Sequence, residues 1–291
     1  MIHKAKKSLG LKKFSRENFS PETSFLKAKK SLGQNFLKSE PALRMMCDAG
    51  NLSSSDTVVE IGPGKGALTS KLLEKTLKVI AIEKDRELIV FLKEKFKNEI
   101  ENKKLELVEG DCLEFDPLAY KLESKTYKLI ANIPYNITGA IIKRFLSEVS
   151  QPESMVLLVQ KEVAMRIVAN DKKESILSLS VKVYGTPKYM MKVGKRFFSP
   201  SPKVDSAIIA ITDISKKNFN PGASEKHFFT IIKTAFAHKR KVLRKNLEDI
   251  APQEIIDSMF KDLEIDSKTR AEDIIYSKWL AIAHYLSKYL G

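Results

Sequence analysis

Between about residues 55 and 160, short β-branched and apolar runs alternate with stretches of helical spacing, and this alternation constrains the fold more than any other feature of the chain. Strand patterns cover 56–61, 78–83, 104–108, 126–132 and 153–160, while Ala67 to Lys75, Asp85 to Lys97 and Thr138 to Val149 have helical spacing. Parallel strands need a crossover between them, and a helix is the usual one, so alternating β and α segments predict a parallel sheet with helices on its faces, in the doubly wound manner. Asp85, just before Leu88, Ile89 and Leu92, is placed to cap the second helix. After Ser175 the pattern changes to one helical run, then strand-like runs near 187–193 and 205–212 around a Pro-rich turn at 199–202. From Glu225 onward it is helical almost throughout, broken at Pro252 and around Asp266 to Arg270. The division expected is a basic arm over 1–28, an α/β domain over 29–214 and a small helical domain over 215–291.

Charge then narrows the partner. Lysine and arginine outnumber aspartate and glutamate by 51 to 36, a net charge of +15 that favours a polyanion such as nucleic acid. The first 40 residues hold ten of the basic residues against three acids, Glu17, Glu22 and Glu40. Within this arm Lys4-Ala5-Lys6-Lys7-Ser8-Leu9-Gly10 recurs as Lys27-Ala28-Lys29-Lys30-Ser31-Leu32-Gly33, a duplication for which the sequence offers no physical reason. The arm has no apolar core of a secretory signal; an organellar transit peptide is the alternative, from which it differs in being lysine-rich and containing acids. No apolar run approaches the roughly 20 residues of a membrane helix. Two cysteines, Cys47 and Cys112, build neither a disulfide framework nor a four-ligand zinc site, and the four histidines lack metal spacing. A monomer in a reducing, cytoplasmic compartment is expected, without metal.

Glu60-Ile61-Gly62-Pro63-Gly64-Lys65-Gly66 ends the first strand and opens a helix, where glycines permit a tight turn and close approach of a ligand to the backbone. Gly62-x-Gly64-x-x-Ala67 also satisfies the dinucleotide fingerprint, so an NAD enzyme stays open, whereas a phosphate-binding P-loop is excluded because no Gly-Lys-Ser/Thr follows. Glu83 ends the second strand about 20 residues on, where a carboxylate can accept from both ribose hydroxyls of a nucleoside. Asp111 follows at the end of the third strand, with Cys112 beside it as a small pocket-lining residue.

Asn132-Ile133-Pro134-Tyr135 follows an apolar strand and precedes a helix. The exocyclic amine of adenine is a poor nucleophile because its lone pair is delocalised into the ring. An asparagine oxygen and a rigid backbone carbonyl, accepting its two N–H bonds, pull the nitrogen toward sp³. Pro134 disfavours a helical conformation at Ile133, which lets the Ile133 carbonyl point into a pocket, and Tyr135 can stack on the base. Downstream, Phe197-Phe198-Ser199-Pro200-Ser201-Pro202-Lys203-Val204 offers an aromatic to clamp an extruded base, flanked by Lys192, Lys195, Arg196 and Lys203. Lys226 to Leu247 contains no acid, and its segment His238 to Lys245, with Arg240, Lys241, Arg244 and Lys245, would give a phosphate-binding face on a helix.

Taken together, these motifs resemble the ribosomal RNA adenine dimethyltransferases from about Lys29 to the C-terminus. The resemblance implies a Rossmann-like sheet that binds S-adenosylmethionine, with a small α-helical C-terminal domain. Ser31 to Leu37 looks like the family's opening motif, which lies over the cofactor and brings Gln34, Asn35 and Leu37 to it. By the same resemblance Gly62 and Gly64 lie in the cofactor loop, Glu83 binds ribose, Asp111 serves the adenine end, and Asn132 is catalytic and borders the cofactor. Phe198 fits a Phe-x-Pro-x-Pro-Lys-Val pattern. The implied substrate is two adjacent adenines near the 3′ end of small-subunit rRNA in a pre-30S-type particle. Macrolide-resistance methylases of large-subunit rRNA share the Asn-x-Pro-Tyr motif, but Ala235 to Leu247 looks more like the small-subunit enzymes. A non-catalytic nucleic-acid-binding factor on the same fold is the other alternative, and the intact Asn132 to Tyr135 motif argues against it. The chain departs from the family in its long N-terminal arm and in Ser199 and Ser201, where prolines are common.

Overall fold

The computed structural model describes residues 27–219, 224–238 and 240–290. Nearly all of the expected basic arm, and Lys239 of the basic run, lie outside the described residues.

In chain order the elements are β1 (Phe36–Leu37), α1 (Glu40–Ala49), β2 (Thr57–Ile61), α2 (Ala67–Lys75), β3 (Lys78–Glu83), α3 (Arg86–Lys95), α4 (Lys97–Glu101), β4 (Leu105–Glu109) and β5 (Lys128–Asn132). Then follow α5 (Thr138–Ser147), β6 (Met155–Gln160), α6 (Lys161–Val168), α7 (Ile176–Lys182), β7 (Thr186–Val193), β8 (Phe198–Ser199), β9 (Ser206–Thr212), α8 (Glu225–Ala235), α9 (Leu243–Leu247), α10 (Gln253–Asp262) and α11 (Tyr276–Ser287). Seven strands form one sheet in the order β4-β3-β2-β5-β6-β9-β7. The five from β4 to β6 are parallel, whereas β9 runs antiparallel to both β6 and β7. The parallel sheet expected over 55–160 is therefore present, and the two later strand-like runs extend it as an antiparallel edge. The reversal of strand order between β2 and β5 opens a crevice at their C-terminal ends.

Local chemistry explains the elements. The Asp85 side chain accepts from the Glu87 N–H at 3.1 Å, the N-cap its position predicts. Helices α1 and α6 are not among the elements read from periodicity. For α1 the signals were there: Ser39 accepts from the Ala42 N–H, Pro41 sits in the first turn, and Leu43, Met46 and Cys47 make a buried stripe. The α6 helix has no side-chain cap at its N-terminus and begins directly where β6 ends. One buried cluster, including Leu37, Met46, Leu72, Phe96 and Phe198, covers one face of the sheet. On the other face a single cluster runs from Val59 and Leu129 through Phe145 into Phe228, Ile231 and Trp279. The C-terminal helices begin at Glu225, as the pattern predicts, and share their core with the sheet. Trp279 is fully buried and stacks on Phe236 with ring centroids 5.6 Å apart.

Candidate active site

A cavity opens at the C-terminal ends of β2, β3, β4 and β5. Its floor is the turn after β2. Gly62 has φ +67° and Gly64 φ +57°, conformations that a side chain would strain, and a Cβ on Gly64 would come within 2.9 Å of the Phe36 ring. At Gly62 the nearest atom to such a Cβ is the Asn132 carbonyl oxygen at 3.8 Å, so the backbone there faces open space that a ligand can approach closely.

Glu83, at the end of β3, is 7% exposed. Its Oε2 accepts from the Gly64 N–H at 3.2 Å and its Oε1 from the Asp85 N–H at 2.9 Å, which fixes the carboxylate plane and leaves each oxygen further lone-pair capacity. Burial raises its pKa, and the backbone N–H bonds oppose the rise. Asp111 and Cys112 line the same cavity beyond β4. Lys84 reaches Asp111 at 2.9 Å, and this bond, with the Leu113 N–H, holds the carboxyl below its usual range. Burial pushes the Cys112 thiol up to about 11, which keeps it protonated and rules against a nucleophilic role.

The roof is the segment from Ser31 to Phe36. Lys29 and Gln34 both bond Asp85, at 2.7 and 2.9 Å, and Gln34 also accepts from the Lys29 N–H. Burial alone would raise the Asp85 pKa, but these partners outweigh it and the group stays ionised. Asn132 Nδ2 donates to the Asn35 carbonyl at 3.2 Å, tying the roof to the end of β5. A carbonyl is acceptor only, so the amide nitrogen must face it and the Asn132 oxygen is left for another donor. Pro134 (φ −60°, ψ 132°) holds extended backbone before a short 3₁₀ turn at Tyr135–Ile137. The Tyr135 hydroxyl is bonded to Ser206 Oγ, and Tyr135, Ile133 and Pro134 all line the cavity.

The structure brings together Gln34, Asn35, Gly62, Gly64, Glu83, Asp111, Cys112 and Asn132 to Tyr135 around this cavity. Two expected members are not among the lining side chains. Leu37 and Phe198 are each 5% exposed, face each other across the antiparallel β1–β8 pair and belong to the core, not to the cavity lining. Side chains alternate along a strand, so the pair sends Leu37 and Phe198 to the core face and presents Phe36, opposite Ser199, to the cavity. Phe36 and Lys84 are cavity residues that the sequence did not single out. An aromatic beside Leu37 in a strand of known face would have revealed Phe36, but a two-residue strand has no periodicity to read.

The basic run is corrected. His238 and Arg240 to Val242 lie outside any helix, between α8 and α9, and α9 spans only five residues, so the described residues form no continuous basic helix. Arg244 turns to Asp257 at 2.6 Å and Lys245 to Glu248 at 2.9 Å. Arg240 and Lys241 are exposed and make no ion pair among the described residues. Asn246 is buried and donates to the Ala235 carbonyl at 2.7 Å, closing the end of α8, so its place in the motif is structural. Lys195, Arg196 and Lys203 are exposed on the loop between β7 and β9.

A model of the ribosomal RNA adenine dimethylase family matches residues 25–288. Ribosomal RNA small subunit methyltransferase A of Dehalococcoides mccartyi strain CBDB1 is 41% identical over 256 residues, 87% of each chain. The protein of the same name from a Picosynechococcus species is 35% identical over 275 residues, 91% of this chain and 99% of the relative. Among solved structures, a dimethyladenosine transferase from Plasmodium falciparum superposes with a TM-score of 0.73 at 26% identity, covering 88% of this chain and 97% of that one. The 23S rRNA methyltransferase ErmE has a TM-score of 0.73 at 24% identity, covering 87% of this chain and all of that one, which shows a shared fold. With its motifs gathered at one cavity and its sequence matched nearly end to end, the chain belongs to the ribosomal RNA adenine dimethylase family.

Proposed function

We propose that this protein dimethylates the exocyclic N6 of two adjacent adenines near the 3′ end of small-subunit rRNA, in a pre-30S-type particle, with S-adenosylmethionine as methyl donor. The curated relatives, 34–41% identical, carry small-subunit names, which favours this reading over a large-subunit target. The cavity fits the cofactor: Gly62 leaves space for close approach, and the Glu83 carboxylate is held flat with lone pairs to spare for two ribose hydroxyls. Asp111 and Cys112 stand at the adenine end, and Gln34 and Asn35 in the roof. When bound, S-adenosylmethionine supplies an electrophilic sulfonium methyl group.

The observation that carries the reading is the orientation of Asn132. With Nδ2 committed to the Asn35 carbonyl, its Oδ1 accepts one N6–H of the target adenine while the Ile133 carbonyl accepts the other. Both bonds strengthen as the lone pair leaves conjugation, which is transition-state stabilisation by preorganised dipoles. Tyr135, held by Ser206, stacks on the base. No strong general base is needed, because the nitrogen becomes acidic once alkylated. The reaction takes place in the cytoplasm on a monomeric enzyme, a setting in which the two free, buried cysteines stay reduced.

Asn132→Ala is expected to lower single-turnover methyl transfer by about 10²- to 10³-fold at saturating cofactor, comparable to deleting one oxyanion-hole donor. Cofactor affinity falls modestly, because the tie to the roof is gone. A turn asparagine without catalytic role predicts instead a lower melting temperature with transfer per folded molecule intact, so both are measured on one preparation.

A further inference from the structure

The loop between β7 and β9 is anchored at both ends to the walls of the cavity. At one end the Lys38 N–H donates to the Phe197 carbonyl at 2.8 Å, and Ser199 is in register with Phe36 of the lining. At the other end Ser206, the first residue of β9, holds the Tyr135 hydroxyl. Between them Asp205 accepts from the Lys195 N–H at 2.9 Å and the Ser201 hydroxyl donates to the Lys195 carbonyl at 3.0 Å. Side chains on this loop therefore keep fixed positions relative to the reacting centre.

Phe197 is 37% exposed, although its neighbour Phe198 is buried. The Arg196 guanidinium lies 5.0 Å from the centre of the Phe197 ring, and Gly194 lies beside the ring, where a Cβ would make ordinary van der Waals contact at 3.7 Å. Lys192 is held by Asp205 at 3.0 Å, whereas Lys195, Arg196 and Lys203 are exposed without an ion pair among the described residues. A guanidinium layered on an aromatic ring is a flat cationic surface, and the chemical group that matches it is an unpaired nucleobase on a phosphate backbone.

We infer that Arg196 and Phe197 form a second nucleotide subsite, a stacking platform for an unpaired, non-reacting base next to the target adenines, with Lys195 and Lys203 facing the adjoining phosphates. The inference rests on the rRNA methylation proposed above. The reacting base enters beside Asn132 and Tyr135; the platform grips its neighbour and so fixes which nucleotides reach the cavity.

The test measures initial rates on unmethylated small ribosomal subunits with S-adenosylmethionine, as subunit concentration and salt are varied. Phe197→Ala and Arg196→Lys are each expected to raise the KM for the subunit at least about fivefold, the loss falling on KM more than on kcat. The slope of log KM against log salt stays unchanged, since neither variant alters charge. Phe197→Trp, which keeps a ring, restores the wild-type KM and separates lost stacking from a folding defect. If Arg196→Lys matches wild type, Arg196 contacts a phosphate and the platform is overturned; wild-type KM values for Phe197→Ala, or no rescue by Phe197→Trp, overturn it equally. A wild-type protein that fails to dimethylate the subunit overturns the underlying function instead, whatever the order of the variants.

Discussion

Two buried carboxylates on neighbouring strands behave differently, and the difference is measurable. Burial pushes Glu60 up to about 8 from an ordinary value of 4.5, and its Oε2 has no hydrogen-bond partner among the described residues. The folded chain thus keeps a proton that the unfolded chain releases above about pH 4.5, so this group's contribution to stability is largest below that pH and declines as pH rises toward 8. Glu60→Gln, which mimics the protonated acid, is expected to flatten the decline, gaining on the order of 2–5 kcal/mol at pH 8 relative to pH 5. Denaturant melts at both pH values check this, and equal slopes for variant and wild type refute it. Glu83 instead has both oxygens bonded to backbone N–H groups. Glu83→Ala is expected to weaken S-adenosylmethionine binding roughly 10- to 150-fold, since a charge-assisted bond contributes about 1.5–3 kcal/mol. Calorimetry that finds binding within about twofold of wild type removes Glu83 from the cofactor site. Glu83, Asp111 and Asn132 were legible because chemistry dictates the residue type at a fixed distance along the chain. The second duty of Glu83, holding the turn through the Gly64 N–H, was not, because backbone partners have no sequence signature.

At the scale of elements, the parallel strands and α2, α3 and α5 were legible because their apolar periods are long enough to count. Strands β1 and β8 were not, since each contributes two residues and its face is set by the other. That is why the sequence did not show that Phe36 lines the cavity while the Leu37 and Phe198 side chains enter the core. The acid-free stretch after Lys226 misled in a different way: charge gave no sign that α8 would end at Ala235 and that Arg244 would turn toward Asp257. Arg240→Gln with Lys241→Gln is expected to lower the salt slope of subunit binding by close to two units, about 0.9 for each phosphate no longer neutralised. Arg244→Gln should leave the slope nearly unchanged and cost up to about 1 kcal/mol of stability through the half-exposed pair with Asp257. Filter binding across a salt series and thermal melts separate the two, and an unchanged slope for the first variant shows that its charges are merely solvated.

For the molecule as a whole, the order β4-β3-β2-β5-β6-β9-β7 places the crevice where alternating segments predict it, while the antiparallel edge and the shared core of the C-terminal helices emerged only in three dimensions. The expected boundary near 215 came from a change of pattern, and a change of pattern does not reveal whether two regions bury their apolar residues together. Among the described residues no helix is long and apolar enough to cross a membrane. The roof of the cavity is Ser31 to Phe36, yet β1 pairs with β8, roughly 160 residues later. Synthesis runs from the N-terminus, so the roof segment leaves the ribosome early and waits for its partner strand through the making of β2 to β7, and closing so long a loop is among the slow, entropically costly steps of folding. In time as opposed to space, the roof is fastened in two stages: a nascent chain that already holds Asp85 and Asn132 has the partners of Lys29, Gln34 and Asn35, and the β1–β8 seam is added only after β7 has been made.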